Sequence, residues 1–139
     1  PEHLIESNAD QAIFGYAVGL DLTRRDLQAV AKEKRLPWDT SKGFDASAPV
    51  SALVERRQAN ISPETTLRLR VNGKVRQEST LADMIFSVPE ILLALSKLYT
   101  LQSGDLIFMG TPAGVAALHR GDEFHAELVD IVAFDGSIV

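Results

Sequence analysis

Hydrophobic residues in the first third of the chain change their spacing twice. Residues 14–23 are apolar at nearly every position, which predicts a strand that is buried on both faces. Residues 25–35 then space their apolar side chains near 3.6, which predicts a helix that Pro37 ends. Upstream, residues 6–13 are interpreted as a short helix with Ser7 or Asn8 as its N-cap.

The clearest local pattern occupies residues 65–80 (TTLRLRVNGKVRQEST). Leu67, Leu69 and Val71 alternate with arginines, so one face of this segment is apolar and the other is wet. Asn72 and Gly73 favour a type I′ turn, after which residues 74–78 return. The segment is therefore predicted to be a β-hairpin.

The rest of the pattern mixes short strands with one further helix. Residues 81–98 form a predicted helix, whose main part begins near Pro89. Residues 37–50 carry too many turn formers for a regular element and are predicted to be a long ordered loop. Short strands are predicted over residues 51–55, 106–109, 123–132 and 134–139, the last one turned by Asp135-Gly136. The sum predicts an α+β, mainly β, domain with a few peripheral helices.

Composition narrows the function classes. At 139 residues the chain has the length of one domain. The formal net charge of −5 argues against nucleic acid as a partner, because phosphate binding needs clustered lysine and arginine. The absence of cysteine excludes a disulfide scaffold, a zinc-thiolate site and a cysteine nucleophile. No apolar run approaches the ~20 residues of a membrane span and no signal peptide is visible, so we expect a cytoplasmic protein.

Two charged residues are candidates for chemistry. Asp21 stands at the end of the first predicted strand, where a lone carboxylate is costly unless a cation or hydrogen-bond donors meet it. It is a candidate metal ligand, and the alternatives are a helix N-cap or an ion-pair partner of Arg24 or Arg25. Lys42, in a loop with Gly and Ser, is a candidate cation for a developing oxyanion, and the alternative is a solvated lysine.

Three further groups of residues could bind a ligand. Arg25 and Gln28 are three residues apart and share a helix face, where Arg25 could hold a carboxylate or simply be solvated. Residues 110–115 (GTPAGV) surround Thr111 with a turn that exposes N–H groups and a hydroxyl, as carboxylate binding requires, or that merely connects two strands. His125 and Glu127 could supply two metal ligands, but their surroundings are typical of an amphipathic edge strand.

Taken together, four stretches resemble the fumarylacetoacetate hydrolase family, and more closely its short acylpyruvase-like branch. They are GYAVGLDLTRRDLQ from residue 15, LPWDTSKGFDASAPVS from residue 36, LRVNGKVRQESTLADMIFSVPEILLALSKLYTLQSGDLIFMGTPAGV from residue 69, and the Gly121-Asp122 turn. Their order and spacing agree over nearly the whole chain. The resemblance is therefore specific for the family, but not for the substrate.

The resemblance implies a Mg²⁺- or Mn²⁺-dependent enzyme that acts on small 2-oxo acids. It also implies a mostly β roll with mixed sheets and peripheral helices, found as a homodimer or higher oligomer. In the family pattern Asp21 matches the metal-binding aspartate, and Lys42 matches the catalytic lysine near the metal. Arg25, Gln28 and Thr111 match positions that line the substrate pocket.

One part of the family pattern is missing from these residues. Family members carry an upstream HxExE-type strand with two more metal carboxylates, and some carry a His-Glu pair on a lid that activates water. Neither occurs in this sequence, and a hard cation such as Mg²⁺ needs several oxygen ligands. We therefore expect residues 1–139 to be the C-terminal portion of a fumarylacetoacetate hydrolase-like catalytic domain, inactive in isolation. The start at Pro1 suggests the same.

Three function hypotheses follow. The leading one is a metal-dependent hydrolase that cleaves the C–C bond of an acylpyruvate (a 2,4-dioxo acid) to pyruvate and an acid, as in aromatic catabolism. The second uses the same site differently, as an oxaloacetate decarboxylase or an isomerase/decarboxylase of aromatic catabolism. The third is a binding or assembly module that has lost catalysis.

Overall fold

A computed structural model describes Leu4 and residues 8–139. The strands and α-helices within these residues are, in chain order, β1 (Gly15–Tyr16), α1 (Arg25–Lys34), α2 (Asp39–Lys42), β2 (Val54–Glu55), β3 (Thr66–Val71), β4 (Lys74–Thr80), α3 (Val88–Ser96), β5 (Glu123–Leu128) and β6 (Val132–Ser137). Ala9–Ala12 and Leu81–Asp83 form single 3-10 turns. The helix predicted over residues 6–13 is thus reduced to a 3-10 turn, while residues 6 and 7 lie outside the described residues.

One four-stranded sheet, in the order β4-β3-β5-β6, dominates the fold, and β1 pairs with β2 in a small second sheet. Together with the helices, these open sheets confirm the predicted α+β, mainly β, class. The resemblance implied mixed sheets, whereas every strand pairing in the described part of the chain is antiparallel. Strand β5 lies inside the sheet between β3 and β6, so the edge position predicted for the His125 segment is wrong.

The predicted hairpin is confirmed as β3 and β4. Asn72 and Gly73 both have positive φ, at 50° and 75°, which is the backbone of a type I′ turn. The register then shifts: Leu69 lies opposite Gln77, whereas Arg70 lies opposite Val75. The extra residue, at position 76, makes a β-bulge, a feature that locally re-aims the side chains of a strand.

The apolar segment at residues 14–23 is extended, but only β1 within it is a regular strand. Beyond β1 it runs beside residues 47–51, where Leu20 N donates to Pro49 O and Ser51 N donates to Val18 O. Phe14 is 69% exposed, so burial on both faces is wrong, although Val18 is buried. The segment ends at the polar residues that follow.

Helix α1 is confirmed almost to its predicted end, and α3 begins where the main part of its helix was predicted. Helix α1 stops at Arg35, which adopts a left-handed backbone with φ 54°. Helix α3 starts at Ser87, whose side chain forms a capping box with Glu90, and Pro89 lies in its first turn. The predicted helix over residues 81–98 is therefore split, because a 3-10 turn and an irregular stretch precede Ser87.

Three further predictions need correction. The loop over residues 37–50 contains the one-turn helix α2. Residues 106–109 form no strand, and Leu106 is 62% exposed. Asp135-Gly136 is not a turn but the middle of β6, and the chain reverses instead at Asp130, which has φ 63°.

The core lies on one face of the large sheet. Val18, Ala126 and Leu128 are buried at its centre, with Leu67 and Leu69 packed against them. Val18 belongs to the extended segment before α1. Its burial therefore holds this segment against the sheet just before the polar residues at the end of the segment. Each helix among the described residues is too short or too polar to cross a lipid bilayer.

Candidate active site

A cleft of about 650 Å³ opens between the inner face of the four-stranded sheet and the loops that cross it. The five residues that the family resemblance assigned to a site all line this cleft, namely Asp21, Arg25, Gln28, Lys42 and Thr111. They come from the end of the extended segment, from α1, from α2 and from the loop after α3. The fold therefore brings together residues that lie up to 90 positions apart (111 − 21).

Asp21 and Lys42 form the polar centre of the cleft. Lys42 Nζ donates to Asp21 Oδ2 at 2.5 Å and to Thr23 Oγ1 at 2.9 Å. Their side chains are 33% exposed for Lys42 and 54% exposed for Asp21, so the pair faces the open cleft rather than the core. Sequence analysis did not single out Thr23. It lies two residues after Asp21 in an extended segment, and side chains at that spacing point to the same side.

Helix α2 delivers Lys42, and a buried serine fixes that helix. Ser41 is fully buried, and its hydroxyl donates to the carbonyl of Trp38 at 2.6 Å. The Ser41 carbonyl accepts from the backbone N–H of Arg24 at 3.0 Å, and the Arg24 guanidinium lies over the Phe44 ring. These contacts join α2 to the start of α1 and so fix Lys42 beside the helix that carries Arg25 and Gln28.

Helix α1 contributes Arg25 and Gln28. Arg25 is exposed at the mouth of the cleft, whereas Gln28 is only 8% exposed. Within the described residues, the Gln28 side chain makes no hydrogen bond, and yet none of its polar atoms is sealed from solvent. Because its polar atoms are accessible and make no hydrogen bond within the described residues, this amide is available for a ligand in the cleft. Leu27, one of the apolar side chains in the 3.6-residue pattern of residues 25–35, is by contrast 36% exposed.

Thr111 lies in the loop that closes the cleft from the other side. Gln77, on β4, donates through Nε2 to Thr111 Oγ1 and to Pro112 O, both at 2.8 Å. Sequence analysis missed Gln77. The register of the hairpin could have identified it. Gln77 lies opposite the inward-facing Leu69, so it is a polar residue on the apolar face of the hairpin.

The cleft is cationic although the chain is acidic. Basic residues outnumber acidic ones along its lining: Arg25, Lys32, Lys42 and Arg76 stand against Asp21 and Asp26, and the fifth basic residue, Arg68, is neutralised by ion pairs with Glu78 and Glu127. The chain as a whole carries a formal net charge of −5. A cleft in which basic residues predominate raises the local concentration of anions, so this site suits an anionic ligand.

The described residues supply only part of a divalent-metal site. Asp21 offers carboxylate oxygens of the kind that Mg²⁺ and Mn²⁺ prefer. No group of three or more His, Cys, Asp or Glu side chains comes together anywhere in the described part of the chain. His125 and Glu127 do not fill this role, because His125 Nδ1 contacts Asp135 at 2.8 Å and Glu127 accepts from Arg68 at 3.0 Å. Asp21 therefore fits as one ligand, and it does not form a complete site on its own.

A family model for the C-terminal region of fumarylacetoacetate hydrolase matches residues 2–139. The chain belongs to the fumarylacetoacetate hydrolase family. This confirms the resemblance on which the site residues were chosen, while the role of each residue stays a prediction.

Relatives in this family carry different activities. The mitochondrial oxaloacetate tautomerase of Rattus norvegicus is 43% identical over 95% of this chain and 60% of its own length. The fumarylpyruvate hydrolase of a Ralstonia species is 45% identical over 85% of this chain and 61% of its own length. A crystal structure of fumarylpyruvate hydrolase from Pseudomonas aeruginosa, in complex with Mn²⁺ and pyruvate, matches with TM-score 0.93 and 37% identity over 99% of this chain and 59% of that one. The chain thus spans about 60% of the length of the curated relatives it matches.

Proposed function

We propose that this chain contributes the 2-oxo acid site of a Mg²⁺- or Mn²⁺-dependent enzyme. The single observation that carries the proposal is the cationic cleft that joins Asp21 and Lys42 to Arg25, Gln28 and Thr111. The bound pyruvate and Mn²⁺ of the Pseudomonas relative support the same ligand class. The other metal ligands come from groups that the described residues do not include.

Each of the five residues has a distinct part in this proposal. Asp21 holds the metal, which when bound polarises the oxygens of the 2-oxo acid. Lys42 faces the same point from α2 and stabilises negative charge that develops on the substrate. Arg25 pairs with a carboxylate at the mouth of the cleft, and Gln28 and Thr111 orient the bound acid through hydrogen bonds.

The leading reaction is hydrolysis of an acylpyruvate. Water adds to the distal carbonyl carbon, the bond between that carbon and the neighbouring CH₂ breaks, and the products are a carboxylic acid and pyruvate. The electron pair of the broken bond moves into the pyruvate part, where a proton completes the new methyl group. Lys42 stabilises the charge at this stage, because its ammonium is the cation nearest the Asp21 carboxylate. A role in aromatic catabolism is the setting we propose for this chemistry.

The second candidate is a reaction of oxaloacetate at the same site. The rat tautomerase supports it, since its match is as extensive as that of the Ralstonia hydrolase. Tautomerisation moves one proton between carbon and oxygen of the substrate and needs no attacking water. Decarboxylation of oxaloacetate or isomerisation of a ring-cleavage product would use the same 2-oxo carboxylate contacts.

A substrate panel tests these alternatives. The protein at its natural length is assayed with acetylpyruvate, fumarylpyruvate and oxaloacetate, with added Mg²⁺ or Mn²⁺ and again with EDTA. We expect pyruvate release from the acylpyruvates, lost with EDTA. Faster turnover of oxaloacetate would replace the hydrolase assignment by the second candidate. Equal rates with and without EDTA would contradict the metal-dependent site, and no turnover with any substrate would favour the third hypothesis, a binding or assembly module.

We further propose a cytoplasmic homo-oligomer, a dimer or larger. Several large apolar side chains are highly exposed within the described chain, among them Phe14 at 69%, Ile85 at 91% and Leu98 at 74%. Exposed apolar area of this kind marks protein contacts. Light scattering coupled to size-exclusion chromatography tests the oligomer, and a monomer at all concentrations would contradict it.

A further inference from the structure

The loop that carries Thr111 is hydrogen-bonded to the rest of the described protein through one side chain. From residue 106 to residue 118, no backbone N–H or C=O makes a backbone hydrogen bond within the described structure. The two hydrogen bonds from Gln77 Nε2, to Thr111 Oγ1 and Pro112 O, are the only ones that reach this stretch from the described residues. Within the described residues, Gln77 thus makes every hydrogen bond that joins this loop to the sheet.

The identity of the acceptors fixes the direction of both hydrogen bonds. The Pro112 carbonyl can only accept, so the amide NH₂ of Gln77, not its oxygen, must face the loop. The second N–H of the same NH₂ then points at Thr111 Oγ1, which accepts it. A threonine hydroxyl has one proton of its own and keeps it in this arrangement. The Thr111 O–H is therefore left to donate to a group in the cleft.

The strand beneath the loop holds Gln77 itself in place. Gln77 is paired opposite Leu69, directly after the extra residue of the β-bulge in β4. Gly114 meets the same bulge, because a Cβ at that position would lie 2.1 Å from the carbonyl oxygen of Arg76. The loop thus rests on two consecutive residues of β4, one by hydrogen bonds and the other by close backbone contact.

We propose that Gln77 is a positioning residue of this site. It holds the loop over the cleft and orients the Thr111 hydroxyl as a hydrogen-bond donor toward an anionic oxygen of the bound 2-oxo acid. The second half of this statement rests on the proposed function, because it takes Thr111 to contact the ligand. The first half concerns the loop alone and can be tested without any ligand.

The loop is tested by limited proteolysis with chymotrypsin. Cleavage after Phe108 is followed by mass spectrometry in wild-type protein and in Gln77→Met, which keeps the size of the side chain and removes its donors. Loss of both hydrogen bonds should speed this cleavage about 30-fold, because together they contribute about 2 kcal/mol to the closed loop and about 1.4 kcal/mol corresponds to a factor of ten. Gln58→Met, at an exposed position outside the cleft, is the control and should cleave at the wild-type rate. An unchanged rate in Gln77→Met would overturn the tether.

The hydroxyl is tested by ligand affinity in the protein at its natural length. Pyruvate with Mn²⁺ is the probe for binding by calorimetry, and KM and kcat follow for the substrate with the highest turnover. Gln77→Met and Thr111→Val should each weaken pyruvate binding and raise KM about 10-fold, with a smaller effect on kcat. The double variant should be no weaker than either single one, because the two residues act as a unit. Thr111→Ser, which keeps the hydroxyl, should restore binding to within about 3-fold of wild type.

Three outcomes would count against the proposal. Additive losses in the double variant would mean that Gln77 does not act through Thr111. A Gln77→Met protein with normal KM and lower kcat would mean that it acts elsewhere in the reaction. Wild-type protein that fails to bind pyruvate would overturn the proposed function and the hydroxyl role together, whereas the chymotrypsin result would still decide whether Gln77 holds the loop.

Discussion

Lys42 Nζ lies 2.5 Å from Asp21 Oδ2, although the two residues are 21 positions apart in the chain. Both side chains remain partly exposed to the cleft. An ion pair in such a setting contributes little to folding, since solvent screens it and two side chains must be ordered to make it. The pair is therefore better explained by what it does in the cleft than by stability.

Replacing Lys42 by methionine tests this separation between stability and chemistry. We expect Lys42→Met to lower kcat/KM about 100-fold, because a cation that stabilises developing charge is lost. The free energy of unfolding should change by less than about 1 kcal/mol. Lys97→Met, which removes an exposed lysine outside the cleft, is the matched control for both measurements. Comparable activity in the two variants would exclude Lys42 from the reaction.

Asp21 is expected to act through the metal. Asp21→Asn keeps the shape of the side chain but removes its charge, so the apparent Kd for Mn²⁺ should rise at least about 10-fold in a titration of the protein at its natural length. Asp45→Asn, an exposed aspartate outside the cleft, should bind Mn²⁺ as wild type does. If both variants bound Mn²⁺ equally well, Asp21 would be only an ion-pair partner of Lys42. That role resembles the alternative of an ion pair with Arg24 or Arg25 that the sequence left open.

Elements fixed by neighbouring residues were predictable from the sequence. The turn between β3 and β4 needs positive φ at two successive positions, and Asn72-Gly73 supplies them at low cost. The start of α3 follows from the capping residues Ser87 and Glu90 with Pro89 between them. In both places the sequence that determines the structure is contiguous, so no knowledge of distant partners is required.

Elements that depend on distant partners were not predictable. Asp135-Gly136 has the composition of a turn, but Gly136 lies opposite Phe124, whose ring occupies the space where a Cβ would be. Glycine is thus required here by an aromatic ring on the neighbouring strand rather than by a turn. The strand predicted over residues 106–109 was wrong for a related reason. An apolar run forms a strand only where a partner strand is present to pair with it.

The candidate site divides in the same way. Asp21, Lys42 and Thr111 were found through motifs and through the resemblance to the family, and the fold brings them to one cleft. Gln77 was missed because its importance comes from the register of the hairpin and from the loop it meets 34 residues later. The spacing of residues in the sequence does not reveal such a contact, because the contact depends on how the strands pair.

The close approach of Gly114 to β4 predicts a large difference between two glycine substitutions. Gly104 and Gly114 have nearly the same φ, at 97° and 99°, but a Cβ at Gly104 would meet nothing within 4 Å. Gly104→Ala should thus destabilise by about 1 kcal/mol, because alanine is strained at this positive φ. Gly114→Ala should cost about 2 kcal/mol more, because its Cβ must also displace the Arg76 carbonyl. Urea unfolding of the two variants measures the difference, and equal losses would show that the loop does not rest on the bulge.

Asp122 predicts how stability depends on pH. Its carboxylate accepts from the backbone N–H of His119 and from the Asn72 side chain, both at 2.8 Å, and these hydrogen bonds lower its pKa. Because the folded state favours the ionised form, Asp122 stabilises the fold above the pKa of an unfolded aspartate, roughly 3.9, and this contribution is lost as the pH falls through the lower folded value. Protonation at acid pH should therefore loosen the contact between the β3–β4 turn and the start of β5.

Thermal unfolding of Asp122→Asn between pH 7 and pH 3 measures this contribution. We expect a lower Tm than wild type at pH 7 and a smaller difference at pH 3, where the wild-type carboxylate has begun to lose its charge. Wild type should still lose stability toward acid pH in part through Asp83 and Glu90, whose pKa values are also lowered by hydrogen bonds from neighbouring serines. Asp45→Asn is the control and should keep the wild-type slope. A constant offset between Asp122→Asn and wild type at every pH would mean that the ionised carboxylate is not what holds this turn.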